Sequence, residues 1–331
     1  MSPITKTKRI LREWSREDLK ALCDKYNNWG KWGLYDEVGT LNFITPEKIV
    51  KTAQLIKRGK AFSLAIPLNL NVPLIHATVE EAFKQSRTPR WSPLHVMLRT
   101  GNDPPYMGGR FADDAIITPT HAGTHWDGLA HVFSIDGKMW NGYDASLVTS
   151  AGALKNGIEK LRDKVVSKGV LLDIARCMGV EHLEPGFGIL PEDLDECADK
   201  EGVKIERGDF VIIRTGHMAK YLRKGDWGDY AGGYAPGLTL ETVEWIYKKE
   251  IAGIASDTWA VEVIPHQVKG LRFPWHHIVI PCVGLLVGEN FYLEELAEDC
   301  YKDNVYEFFF TAPVLPITGA VGSPINPLAI K

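Results

Sequence analysis

The chain has no run of 18 apolar residues, so no stretch of it reads as a bilayer-spanning helix. Its first residues, Met-Ser-Pro-Ile-Thr-Lys-Thr-Lys-Arg, lack the apolar core of a secretory signal. Cysteine is scarce: five residues, at 23, 177, 197, 282 and 300, odd in number and never as Cys-x-x-Cys. That pattern argues against a disulfide framework and leads to the expectation of reduced thiols in a cytoplasmic chain. Charge of one sign is also missing. With 38 basic and 42 acidic residues the net charge is −4, which leaves no footprint for nucleic acid or an anionic membrane. The glycine-rich stretch 225–237 contains neither Gly-x-Gly-x-x-Gly nor Gly-x-x-x-x-Gly-Lys-Ser/Thr, so it reads as a mobile loop or lid rather than a phosphate cradle. No Gly-x-Ser-x-Gly nucleophile elbow is present. Cys282 follows His276 and His277 but sits in an apolar run, and reads as a small core residue rather than a nucleophile.

Histidine is concentrated where the other motifs are absent. Of ten histidines in 331 residues, three fall within His121-Ala-Gly-Thr-His-Trp-Asp-Gly-Leu-Ala-His131. His121, His125, Asp127 and His131 offer the imidazole and carboxylate groups that zinc or manganese accepts. His121 and His125 are four apart, but Gly123 and Gly128 interrupt the run, and each glycine costs a helix roughly 1 kcal/mol relative to alanine. A loop or strand-turn folded around an ion is therefore expected. His125 and Asp127 differ by two and would point the same way from an extended segment. Thr124 can hydrogen-bond a ligand and fix its orientation.

Hydrophobic content of 45% and charged content of 24% are those of a globular protein able to bury a core. A helix is expected over residues 14–27, capped by Ser15 with Asp18 three residues on. Another begins with Thr45 as cap and Pro46 at its first position, buries Ile49, Ala53 and Ile56, and stops at Gly59. Between them, Trp29 and Trp32 lie beside glycines and could pack in the core or wall a neighbouring subunit's site. Residues 61–67 read as a strand. Residues 67–114 read as loop, broken by prolines at 67, 73, 89, 93, 104 and 105, with Tyr106, Phe111 and His95 as candidate contacts at a site entrance. From residue 169 onward short apolar strands (169–175, 209–215, 253–258) alternate with helical patterns at 191–200 and 240–247. The fold class is α/β, with a mixed β-sheet core and flanking helices. A single domain spanning 1–331 is expected, with residues 1–60 as an N-terminal helical extension.

The pattern His-x-Gly-Thr-His-x-Asp-x-x-x-His resembles the metal motif of the cyclase family of metal-dependent hydrolases, which includes kynurenine formamidases and isatin hydrolases. The family usually has proline two residues before the last histidine; this chain has Leu129. The resemblance runs from about residue 28 to the end and includes Trp-Gly…Gly-Thr-Leu-Asn, Thr-Pro-Glu-Lys and the tail Gly322-Ser-Pro-Ile-Asn-Pro. It implies a swivelling β/β/α fold and a homodimer or homotetramer. His121, His125 and Asp127 would be metal ligands, and His131 the proton donor and acceptor or a second-site ligand. Family members also pair a histidine with a glutamate twelve residues later. His277 and Glu289 have that separation, so both would be ligands, with Glu289 also catalytic and His276 the alternative if the register shifts by one. The Trp-Pro-Gly-Asp segment of kynurenine formamidases is absent; residues 66–74 read Ile-Pro-Leu-Asn-Leu-Asn-Val-Pro-Leu, which argues against N-formylkynurenine as substrate.

One or two zinc or manganese ions in such a site would make hydroxide available near neutral pH. The expected reaction is attack of a metal-bound hydroxide on an amide, cyclic imide, lactam or lactone of a small molecule, with His131 moving the proton. Tyr106, Trp126, Phe273 and Trp275 are the candidate substrate walls, with Trp259 a further aromatic. Two rivals stand beside this reading. One is a metal-dependent cyclase or dehydratase acting on a polyketide-like or hydroxy-acid substrate; the other is a metal-binding protein without catalysis.

Overall fold

The structure is a computed structural model describing residues 9–69 and 90–331. Pro73, Pro89 and residues 70–74 of the compared stretch lie outside the described residues. The strands are β1 Ala61–Ser63, β2 Leu94–Arg99, β3 Asp113–Ile117, β4 His125–Asp127, β5 Val148–Thr149, β6 Gly152–Ala153, β7 Val166–Asp173, β8 Gly188–Ile189, β9 Phe210–Arg214, β10 Gly237–Leu238, β11 Gly253–Ser256, β12 Leu286–Glu289, β13 Glu307–Thr311, β14 Gly322–Pro324 and β15 Leu328–Ile330. The helices are α1 Arg16–Lys25, α2 Pro46–Ala53, α3 Ile174–Cys177, α4 Pro191–Glu201, α5 His217–Lys224, α6 Thr242–Lys249, α7 His276–Ile278 and α8 Glu294–Asp303.

Nine strands form one mixed sheet in the order β1-β15-β13-β7-β9-β11-β12-β4-β14. Its middle, β7-β9-β11-β12, is parallel; the pairings on either side are antiparallel. Parallel strands need both faces covered, and the sequence supplies apolar residues at both parities. Val170, Leu172, Val211, Ile213, Ile254 and Val287 join one apolar cluster, with Leu19 of α1, Leu194 of α4 and Val243 of α6. Leu171, Phe210, Ile212, Ala255 and Leu286 join the other, with Leu296 of α8. This is the α/β fold with flanking helices that the alternation of elements implies.

The N-terminal residues pack into this body. Ser15 and Asp18 form the expected capping box on α1. Trp29 Nε1 donates to the Pro281 carbonyl at 2.6 Å and Trp32 packs edge-on against Phe43; both are half-buried and lie against the core of this chain. Helix α2 starts on Thr45 and Pro46 as expected but ends at Ala53, before Gly59. Its buried residue is Thr52; Ala53 and Ile56 are exposed, because the apolar stripe is too short to set the buried face alone.

Three other expectations change. The stretch read as loop contains the hairpin β2–β3, in register from Leu94↔Ile117. The stretch 225–237 is held at its middle: Tyr230 is buried and its hydroxyl lies 3.0 Å from both the Asp257 carbonyl and Asn290 Oδ1, which share its one proton. The cysteines are not all reduced. Cys23 pairs with Cys282 and Cys177 with Cys197, leaving Cys300 free and buried. The folded chain brings the paired Cα atoms to 5.5 and 5.6 Å across separations of 259 and 20 residues, a proximity that spacing in sequence does not encode. The expectation of a cytoplasmic chain loses the support it drew from reduced thiols. No helix among the described residues is long and apolar enough to cross a membrane.

Candidate metal centre

Strand β4 is three residues long and paired on both sides. His125 lies opposite Glu289 of β12 and Pro324 of β14, and Asp127 opposite Val287 and Gly322. The alternation of a strand sends His125 and Asp127 to one face and Trp126 to the other. Gly123, with φ of +66°, turns the chain into the strand in a conformation few other residues adopt. Thr124 holds that turn rather than a ligand. Its hydroxyl donates to the Asn290 carbonyl at 2.6 Å and accepts from the Ile66 amide at 3.0 Å. Gly322 has no side chain for a different reason: a Cβ there would overlap the His121 imidazole.

Six side chains meet around this strand. Asp127 Oδ1 lies 3.5 Å from His121 Nε2, 3.4 Å from His125 Nε2 and 3.7 Å from His131 Nε2. Glu289 Oε2 is 3.3 Å from His125 Nε2. His276 Nε2 is 3.8 Å from Asp127 Oδ2 and 3.6 Å from Glu289 Oε1. The register expected for the second cluster therefore shifts by one. His277 is outside the group, with Nδ1 donating to the Phe133 carbonyl at 2.6 Å. The short helix α7 turns adjacent residues about 100° apart, so only one of the two histidines can face the carboxylates.

The remaining ring nitrogens fix the orientation. His125 Nδ1 donates to the Gly123 carbonyl at 2.8 Å, which leaves Nε2 facing the cluster. His276 Nδ1 donates to Glu262 Oε1 at 2.6 Å, with the same result. Glu262 is buried and also accepts from the backbone amide of His276, at 3.3 Å. This carboxylate–histidine arrangement is the kind that orients metal-binding imidazoles. Glu262 had no signal in the sequence: it stands fourteen residues before His276 in no recognisable motif.

The group fits a divalent cation on its own chemistry. His121 Nε2, His125 Nε2, Asp127 Oδ1 and His276 Nε2 are buried without a hydrogen-bond partner among the described residues. Buried polar atoms are normally paired, so unpaired imidazole nitrogens gathered around Asp127 call for a partner of another kind. The imidazole–carboxylate spacings across the six side chains, 3.3–3.8 Å, suit ligand atoms about 2.1 Å from an ion. Two overlapping triplets, His121–Asp127–His131 and Asp127–His276–Glu289, share Asp127.

Electrostatics agree. Burial opposes charging of His125 and His276, but the adjacent carboxylates, Asp127 and Glu289 for His125 and Glu262 and Glu289 for His276, outweigh it and hold them up at about 9 and about 10. A divalent cation at the two Nε2 atoms would replace those two protons without changing the charge of the cluster. Burial pushes His121 well down, and the nearby His131 and Arg90 add to this. Burial also lowers His131, against the pull of Asp127.

A cleft opens on the cluster, lined by Arg90, Asp127, His131, Val132, Trp259, Arg272, Phe273, His276 and Glu289. Of the four candidate walls it contains only Phe273. Trp126 is fully buried on the opposite face, among Phe210, Phe291 and Phe310, with Nε1 donating to the Ala312 carbonyl at 3.0 Å. Trp275 is likewise core, with Nε1 donating to Thr242 Oγ1 at 3.0 Å. Tyr106 is 62% exposed in the loop joining β2 to β3, Phe111 is exposed in the same loop and His95 on β2, and none of the three lines the cleft. Arg90 and Arg272 were not singled out from the sequence, where isolated arginines carry no signal.

Comparisons with known proteins identify the fold and the family. A crystal structure described as a novel cyclase is 38% identical, covering 93% of this chain and 99% of that chain with a TM-score of 0.82. The isatin hydrolase of Roseibium aggregatum is 26% identical over 271 residues, 80% of this chain and 88% of that protein. Isatin hydrolase A from Ralstonia solanacearum, 20% identical, shares the fold with a TM-score of 0.62 over 87% of this chain and 98% of its own. The Cyclase family model matches residues 62–263, more than half of the chain and the whole of the histidine-rich strand and Glu262, and the chain thus belongs to the cyclase family, whose metal-dependent hydrolase fold it has.

Proposed function

We propose that this chain hydrolyses a C–N or C–O acyl bond of a small molecule, an amide, cyclic imide, lactam or lactone, with zinc or manganese as its cofactor. The observation that carries the reading is a set of buried, unpaired imidazole nitrogens around Asp127, whose own Oδ1 is unpaired, at a cleft that Asp127 and His276 line. His121, His125, Asp127, His276 and Glu289 would hold one ion, or two bridged by Asp127. Such an ion supplies Lewis acidity and lowers the pKa of coordinated water to near 7 in favourable sites. Relatedness to an isatin hydrolase favours a planar cyclic substrate, and the aromatic faces of Trp259 and Phe273 on the cleft suit one.

The chain's own groups account for proton movement. His131 is the histidine of the cluster with the most solvent contact, its side chain 23% exposed against 8% or less for His121, His125 and His276. Burial keeps it below the usual histidine range, so it is neutral at pH 7 and able to accept a proton. Once charged, it is stabilised by Asp127 3.7 Å away, and it then returns the proton to the leaving nitrogen or oxygen.

The test combines metal content and turnover. Untagged protein analysed by inductively coupled plasma mass spectrometry is expected to carry one or two zinc or manganese ions per chain. His131→Ala is expected to retain at least one ion and lose about 10²-fold or more in kcat on a formanilide or cyclic imide substrate. A protein that takes up no metal, or a His131→Ala variant with full activity, overturns the corresponding part of the reading.

A further inference from the structure

The cleft carries two positive charges that the metal chemistry does not use. Arg90 is half-buried and Arg272 exposed, and both line the cleft together with His131, His276 and Glu289. Among the described residues, neither guanidinium has a carboxylate within 4 Å. The acidic groups of the cluster face histidines instead, and Glu262 is taken by His266 and His276. Both are therefore cations on the wall of the cleft with no carboxylate partner among the described residues.

Arg272 is placed by an unusual piece of backbone. The next residue, Phe273, has φ of +55°, a left-handed conformation that bulky side chains rarely adopt. Such a conformation persists only where the surroundings over-determine it, and it is concentrated at functional sites. Here the turn packs Phe273 edge-on against Trp259, ring centroids 5.8 Å apart, with the Arg272 guanidinium 5.2 Å from the Phe273 ring. One wall of the cleft thus presents an aromatic face and a cation side by side, and Arg90 supplies a second cation.

We infer that Arg90 and Arg272 form a subsite for an anionic group, so that the preferred substrates are planar acyl compounds carrying a carboxylate in addition to the bond that is cleaved. This rests on the hydrolase reading for its turnover assay only. The guanidinium fork suits a carboxylate, and a hydrogen bond to a charged group is worth roughly 10- to 100-fold in affinity. The two arginines choose among substrates and take no part in bond cleavage.

Formanilide and the three isomers of formamidobenzoate share one scissile formamide and differ by a carboxylate. With zinc-loaded protein, at least one isomer is expected to exceed formanilide in kcat/KM by about 10-fold or more. Arg272→Ala and Arg90→Ala are each expected to reduce that ratio, so that any general loss of activity cancels. Turnover of formanilide with no preference for any isomer, or a preference that survives both substitutions, overturns the subsite and leaves the hydrolase reading standing. If none of the four compounds is cleaved, calorimetric titration with benzoate, at equal metal content, reads the subsite directly. Weaker binding by about 10-fold in the double variant supports it while the formamide reading fails, and unchanged binding rejects the subsite too.

Discussion

His276 and His277 are neighbours in sequence, yet their Nδ1 atoms donate to different partners, the Glu262 carboxylate and the Phe133 carbonyl. The first leaves Nε2 pointing at Asp127 and Glu289; the second ties the ring to the loop after β4. His276→Ala is expected to lower metal occupancy measured by mass spectrometry, while His277→Ala leaves it near the wild-type level. The reverse result would return the ligand to His277. Glu262→Gln should weaken zinc affinity by about 10- to 100-fold in a competitive chelator titration, because it removes the charge that orients and polarises His276. At this scale the 121–131 motif could be read directly, since ligand type and spacing are local. His276 and Glu262 could not, because what selects them is the direction of a ring nitrogen toward a carboxylate fourteen positions earlier in the chain.

Elements decide what single residues cannot. The period of a strand puts Trp126 on the face opposite its neighbours His125 and Asp127, so Trp126→Ala should cost about 3–5 kcal/mol in chemical denaturation through cavity formation. It should not change the order in which substrates are preferred. The end of α4 offers a pH test. Glu201 is buried against the end of β7, where Oε1 accepts from the Asp173 amide at 3.0 Å. Burial pushes its carboxyl up to about 8 from an ordinary 4.5. Between those values the unfolded chain has released a proton that the folded chain keeps, so stability falls as pH rises. Glu201→Gln should remove that fall: its advantage over wild type in thermal melts should be small at pH 4.5 and grow to on the order of 2 kcal/mol by pH 8. Strands β7, β9 and β11 were legible from their apolar runs, and helix α4 from Pro191 and the acidic residues of its first turn. The hairpin β2–β3 was not, because prolines and glycines near it read as loop.

At the scale of the molecule, that hairpin presents Leu94, Met97, Leu98, Ile116 and Ile117 at 45–67% exposure. Apolar side chains gathered in this way on one element commonly mark an interaction surface. Self-association into two or four copies is the expectation that accompanies the family resemblance, and we propose this hairpin as part of the contact. Light scattering on a sizing column is expected to return a dimer or tetramer, and Leu98→Lys to shift it toward monomer. A wild-type monomer at micromolar concentration would remove the proposal.

What the sequence determined by itself was the class of the fold and the chemistry of one strand. Apolar runs at strand length, separated by helical patterns, leave few arrangements other than a covered mixed sheet, and three histidines with an aspartate in eleven residues carry their meaning locally. Tertiary structure decided the rest. It brought Glu289 opposite His125 across a ladder of hydrogen bonds, chose His276 over His277, joined Cys23 to Cys282, and set Arg90 and Arg272 on the same cleft. Each depends on distance in space between residues far apart in the chain. Their pairing is set by packing of the whole sheet and its helices, which no local pattern encodes.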